Sequence, residues 1–67
     1  MNLDENLLFS VMDGDQEFTR AERLSAIDDA LSFEECNYTE FELLKMNDRE
    51  LSKSLYGIWA DYARGQL

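Results

Sequence analysis

Five times in 67 residues a cap-forming side chain is followed three positions later by glutamate: Asn2/Glu5, Thr19/Glu22, Ser32/Glu35, Thr39/Glu42 and Asn47/Glu50. In a capping box the first side chain accepts a hydrogen bond from the third helical amide, and the glutamate reaches back to the amide of the cap. Asn caps a helix as well as Ser or Thr does, although it lies outside the strict definition of the box. The pattern predicts an all-α fold, a small bundle of three to four helices forming a single acidic domain over residues 1–67.

Apolar periodicity fills in the elements. Leu3, Leu7, Leu8, Val11 and Met12 form a stripe that predicts a first helix over about Leu3–Met12, with Gly14 placed to end it just beyond the cap. A second helix follows Thr19, with Ala21, Leu24, Ile27 and Leu31 on one face. Residues 33–37 read as a kink or short turn, or as one helical turn begun by Ser32. A short third helix covers Glu40–Met46 and buries Phe41 and Leu44. Tyr38–Leu43 also alternates as a strand would, but a lone strand has nothing to pair with. From Asp48 to about Arg64, Leu51, Leu55, Ile58, Trp59 and Tyr62 recur at the spacing of one helix face. Gly57 inside that helix costs roughly 1 kcal/mol relative to Ala, and a glycine there often admits a close neighbouring helix.

Composition excludes whole classes of chemistry. With no histidine and a single cysteine, Cys36, the chain has no disulfide, no Ser–His or Cys–His couple, and no set of ligands for a structural zinc. Asp13-Gly14-Asp15-Gln16-Glu17 resembles the opening of a calcium loop, but the glycine is misplaced and Leu24 stands where a bidentate glutamate is needed. Adjacent acids such as Asp28 and Asp29 point about 100° apart on a helix and do not share a site for acid–base chemistry. The expectation is a protein that is not an enzyme and holds no cofactor or metal. A core of this size supplies at most about 3–5 kcal/mol, so a homodimer, or a partner that completes the core, is expected. The start Met1-Asn2-Leu3-Asp4-Glu5 is acidic where a secretory leader is basic, no apolar run reaches the roughly 20 residues of a membrane span, and the thiol is unpaired. Together these predict a soluble, cytoplasmic protein without membrane contact.

Charge is the feature that points to a function. The net charge is −9. Residues 1–42 hold twelve acids and two bases, a net of −10, whereas residues 43–67 hold three acids and four bases, a net of +1. Such a surface opposes direct nucleic-acid binding. A folded array of carboxylates instead approaches the charge density of a duplex, about one negative charge per 1.7 Å of axis, and competes for basic grooves. The candidate partner-binding residues are Asp13, Asp15, Glu17, Asp28, Asp29, Glu34, Glu35, Glu40 and Glu42. Arg20 and Arg23 are expected to pair with neighbouring acids at helical spacing, or to orient the loop. In the bland alternative the acids confer solubility and complement helix N-termini. A rival reading gives the contact to apolar side chains, with Phe9, Phe18, Phe33 or Tyr56 docking into a partner. Trp59, Tyr56, Tyr62 and Arg64 also suggest a base-stacking platform, although Trp59 and Tyr62 belong to the apolar stripe.

The acidic caps, with Tyr38-Thr39-Glu40-Phe41, Met46-Asn47-Asp48-Arg49-Glu50-Leu51 and Ile58-Trp59-Ala60-Asp61-Tyr62, resemble in style the small acidic inhibitors encoded by bacteriophages, including anti-CRISPR and DNA-mimic proteins. That resemblance implies inhibition of a bacterial nucleic-acid-handling protein or complex through its basic surface. A weaker resemblance is to the cytoplasmic domain of envelope-stress anti-sigma factors. It is carried by Ser10-Val11-Met12-Asp13-Gly14-Asp15 and the Trp-bearing helix Asp48–Gly65, although the spacing between them is longer here and these 67 residues contain no run long and apolar enough for a transmembrane segment. It implies a transcription regulator or antitoxin-like adaptor.

Overall fold

Three of the five expected caps form as the sequence indicates. The computed structural model describes residues 4–65. Among them lie four helices and no strand: α1 (Glu5–Met12), α2 (Arg20–Leu31), α3 (Glu40–Lys45) and α4 (Asp48–Gly65). Thr19 and Glu22 close a complete capping box on α2, as Thr39 and Glu42 do on α3. At α4 the Glu50 amide donates to Asn47 Oδ1 at 2.8 Å, and Asn47 Nδ2 donates to the Glu50 carboxylate at 2.7 Å. The other two expectations differ. Asp4 caps α1, its Oδ1 accepting from the amides of Asn6 and Leu7, and Asn2 and Leu3 lie outside the described residues. Ser32 starts no helix. It ends α2, and its hydroxyl donates to the Asp29 carbonyl at 2.6 Å, satisfying one of the acceptors a helix end leaves free.

Gly14 ends α1 as expected, at φ +82°. The Gly14 amide donates to the Val11 carbonyl and the Asp15 amide to that of Ser10, the paired bonds of a Schellman motif. Arg49, from α4, adds a bond from Nε to the Met12 carbonyl at 2.9 Å. A cation there complements the negative end of the α1 dipole.

The helices pack around α4. Its buried stripe is Leu51, Ser52, Leu55 and Ile58, with Trp59 and Tyr62 partly buried beside it. α1 runs antiparallel to α4, burying Leu8 and Val11, and the buried Ser52 hydroxyl donates to the Leu8 carbonyl at 2.6 Å. α2 runs parallel to α4. Near its start the Phe18 amide and Arg23 both bond the Asp48 carboxylate, and beyond its end the Phe33 ring meets Tyr62 at 4.8 Å between centroids. The Cα radius of gyration is 11.0 Å, equal to the roughly 11 Å expected of a packed domain of this length.

Two faces differ from those expected. In α2 the buried residues are Ala26, Ile27 and Ala30, while Ala21, Leu24 and Leu31 are exposed. The reason is Arg23: its bond to Asp48 turns the 23/26/27/30 side of the helix toward α4, and the two alanines let the backbones approach. In α3 only Leu43 is buried; Phe41 is 65% exposed and Leu44 44%. Lys45, one turn on, lies 4.2 Å from the centre of the Phe41 ring, a cation–π contact that suits an exposed aromatic. Gly57 faces open space: a Cβ there would meet nothing within 4 Å. It therefore serves no close helix approach.

Candidate protein-binding surface

The nine candidate acids fall into two groups, one at each end of α2. Asp13, Asp15 and Glu17 lie on the connection from α1 to α2, all exposed, beside the start of α4. Asp28 and Asp29 lie in the last turn of α2, Glu34 and Glu35 in the turn that follows, and Glu40 and Glu42 in the first turn of α3. The twelve residues of α2 span about 18 Å, so the chain presents two separate acidic poles rather than one continuous strip. Of the nine, Asp29 and Glu35 are half-buried and the rest exposed.

Helix geometry gives the two poles different standing. Glu42 has a structural role in the α3 capping box, and Glu40 lies at the positive end of that helix, where a carboxylate is favoured. Asp28 and Asp29 are at the opposite sort of place. They sit at the negative end of the α2 dipole, with no basic residue in that turn and Glu34 and Glu35 immediately beyond. Asp29 Oδ2 is shielded from solvent and has no hydrogen-bond partner among the described residues.

The bases do not offset these acids. Arg23 does not pair with a neighbour along its own helix. It bonds Asp48 Oδ1 at 2.6 Å and the carbonyls of Leu44 and Met46, fastening α2 to α4 and to the end of α3. The other ion pair among the described residues is Asp61–Arg64 at 3.0 Å, three positions apart on exposed α4. Arg20 makes no ion pair among the described residues. None of the nine acids is ion-paired among the described residues, although Lys53 of α4 lines the same hollow as Glu35.

The aromatic candidates are mostly drawn into packing. Phe18 and Phe33 are buried in the core and unable to anchor a partner. Tyr56 packs partly buried between Phe9 at 5.0 Å and Trp59 at 6.0 Å. Phe9 remains 41% exposed, on the α1–α4 side. Tyr62 lies against Phe33, so no ladder of free rings is available for stacking bases. Cys36 is half-buried, its thiol 3.5 Å from the Tyr38 carbonyl. Among the described residues no group of acids and thiol is arranged to hold a metal ion, and no helix is long and apolar enough to cross a membrane.

A hollow of mixed polar and apolar lining, flanked by exposed leucines, lies between α2 and α3 and has no counterpart in the expected faces. Leu24 and Leu31 of α2, with Leu44 of α3, flank a hollow of about 390 Å³ floored by Ile27 and edged by Asp28 and Glu40. The signal was present in the exposed alternative to the α2 face: a helix with leucines on one side and alanines on the other has two candidate faces, and the anchored arginine selects between them.

Neither a family model, nor a curated protein, nor a solved structure matches this chain.

Proposed function

We propose that this chain is a non-enzymatic inhibitor that occupies the basic, nucleic-acid-binding surface of a bacterial nucleic-acid-handling protein. One observation carries the reading: Asp28, Asp29, Glu34 and Glu35 crowd the negative end of α2, with no base in its last turn and no ion pair to any of them among the described residues. Acids that serve folding belong at helix N-termini, as Glu22, Glu42 and Glu50 do here. Acids at a C-terminus oppose folding by about 0.3–1 kcal/mol each. Their use lies in a complex, where cations of a partner replace the missing bases. The second pole, Asp13, Asp15 and Glu17, extends the footprint beyond a single contact.

The test is an affinity capture from a bacterial lysate, washed in rising salt, with duplex DNA or heparin as competitor. A partner held by several charge contacts should lose affinity as salt rises from about 50 to 200 mM, because screening weakens each exposed pair. It should also be displaced by the polyanion, and be lost when Asp28, Asp29, Glu34 and Glu35 are converted to their amides. A partner that survives high salt, polyanion and those substitutions would overturn the proposal and return the contact to apolar side chains.

A further inference from the structure

The hollow between α2 and α3 leaves leucines of both helices exposed. Leu24 is 50% exposed, Leu31 37% and Leu44 44%, and all three line the same hollow. Leu24 and Leu31 are seven positions apart, two turns or about 10.5 Å along α2. α3 runs antiparallel beside them, its end held by Arg23 and its start bringing Glu40 opposite Asp28. Two antiparallel helices with exposed leucines on both sides of a hollow of mixed lining form a seat into which an amphipathic third helix packs.

We infer that this groove docks a short basic amphipathic helix of the partner protein, two to three turns long, with an apolar stripe at i, i+3 or i+4, and i+7. Charge selects the occupant. The charged residues lining the groove are Asp28 and Glu40, both at one end; Arg20, one turn before Leu24, stands beyond the other end. Lys45, at the far end of α3, is turned onto Phe41. A cationic helix therefore meets carboxylates at the Asp28/Glu40 end, and its own positive N-terminus fits the same end. A second copy of this chain would bring −9 against −9 and is disfavoured by the same argument. The inference rests on the basic-partner reading for the sign of the occupant's charge. It adds the place and the apolar component that charge alone does not provide.

Three synthetic peptides separate these ideas: a Leu/Lys/Ala amphipathic helix, a scramble of identical composition, and a charge-reversed version with Glu for Lys. Binding is read from amide shifts of the isotope-labelled protein in titration. The basic amphipathic peptide should shift Leu24, Asp28, Leu31 and Leu44, and bind at least tenfold more tightly than the scramble. The double variant Leu24→Ser/Leu44→Ser should weaken it at least tenfold, and both positions are about half exposed, so the bundle should retain its helical circular dichroism. Should that variant unfold, Asp28→Lys/Glu40→Lys at the exposed rim replaces it and should switch preference to the charge-reversed peptide. Equal binding by the scramble would overturn the groove while leaving the electrostatic inhibitor reading intact. Equal binding by the charge-reversed peptide would remove both. A concentration-dependent dimer abolished by Leu24→Ser/Leu44→Ser would show that a second copy occupies the groove, and the inference would fail.

Discussion

Arg23 Nη1 stands 2.6 Å from Asp48 Oδ1, joining the first turn of α2 to the first residue of α4. The same carboxylate accepts the Phe18 amide at 3.0 Å through Oδ2, and the same guanidinium donates to the Leu44 and Met46 carbonyls. One ion pair thus ties three helices. Both side chains retain some solvent contact, 21% and 28%, which places the pair between a surface and a buried bridge. Removing Arg23 also strands two carbonyls and a carboxylate. Hydrogen bonds to charged groups contribute about 1.5–3 kcal/mol, so Arg23→Ala and Asp48→Ala should each destabilise by about 2 kcal/mol in urea titration. The double variant should cost less than their sum, by 0.5 kcal/mol or more on the usual scale of coupled neighbours.

The same substitution should have opposite signs at two glycines. Gly57 lies mid-helix with open space at its Cβ position, so Gly57→Ala should stabilise by about 0.5–1 kcal/mol. In a domain this small that is a rise of several degrees in Tm, at about 4–8 °C per kcal/mol. Gly14 holds φ +82° at the end of α1, and Gly14→Ala should destabilise by about 1–2 kcal/mol. Thermal melts of the two variants, side by side, decide both.

Ser52 is wholly buried, and its hydroxyl bonds the Leu8 carbonyl across the α1–α4 interface. Ser52→Ala keeps the small volume and removes the donor, which should cost about 1 kcal/mol. Detachment of α1 should become easier, seen as faster amide exchange at Leu8 and Val11 than at Leu51 and Leu55.

Neutralising acids should divide by position. Asp28→Asn, at the negative end of α2, should stabilise the free protein by about 0.3–1 kcal/mol and reduce the gain in Tm on adding salt, because screening weakens the same repulsion. Glu42→Gln, in the α3 capping box, should give no such gain. Melting curves from 10 to 300 mM salt test the pair, and a salt-independent Tm for the unmodified chain would contradict significant internal repulsion.

Much of the bundle was legible in the sequence because it is written in local chemistry. Thr19/Glu22, Thr39/Glu42 and Asn47/Glu50 need only three residues of context, and Leu51, Leu55 and Ile58 mark the buried face of α4 by spacing alone. The orientation of α2 was not legible in this way. Leucines at 24 and 31 outweigh alanines at 26 and 30 in any count of apolar character, yet the fold buries the alanines. The deciding contact, Arg23 to Asp48, spans 25 positions and leaves no local trace. Phe41 misled for a related reason: on a six-residue helix one side chain, Leu43, suffices to fill the core. The acids were visible as a composition. What the sequence lacked was their distribution to two poles, and the distinction between those that cap a helix and those that oppose one.

The two ends of the bundle are fastened unequally, and this has a dynamic consequence. At the start of α4, Asp48, Arg23, Arg49 and Asn47 lock three helix termini and the Gly14 turn together. At the far end of α2 the links are apolar, Ala30 in the core and the Phe33–Tyr62 contact, with Asp28, Asp29, Glu34 and Glu35 close by and no ion pair among them. Opening free energies should therefore fall along α2, with the amides of residues 28–37 exchanging well before those near Arg23, in a local event far less costly than global unfolding. A cationic partner would quench that opening by supplying the missing positive charge. Part of its binding free energy would then appear as order gained in a soft segment of this chain, distant from the firm end that holds the fold.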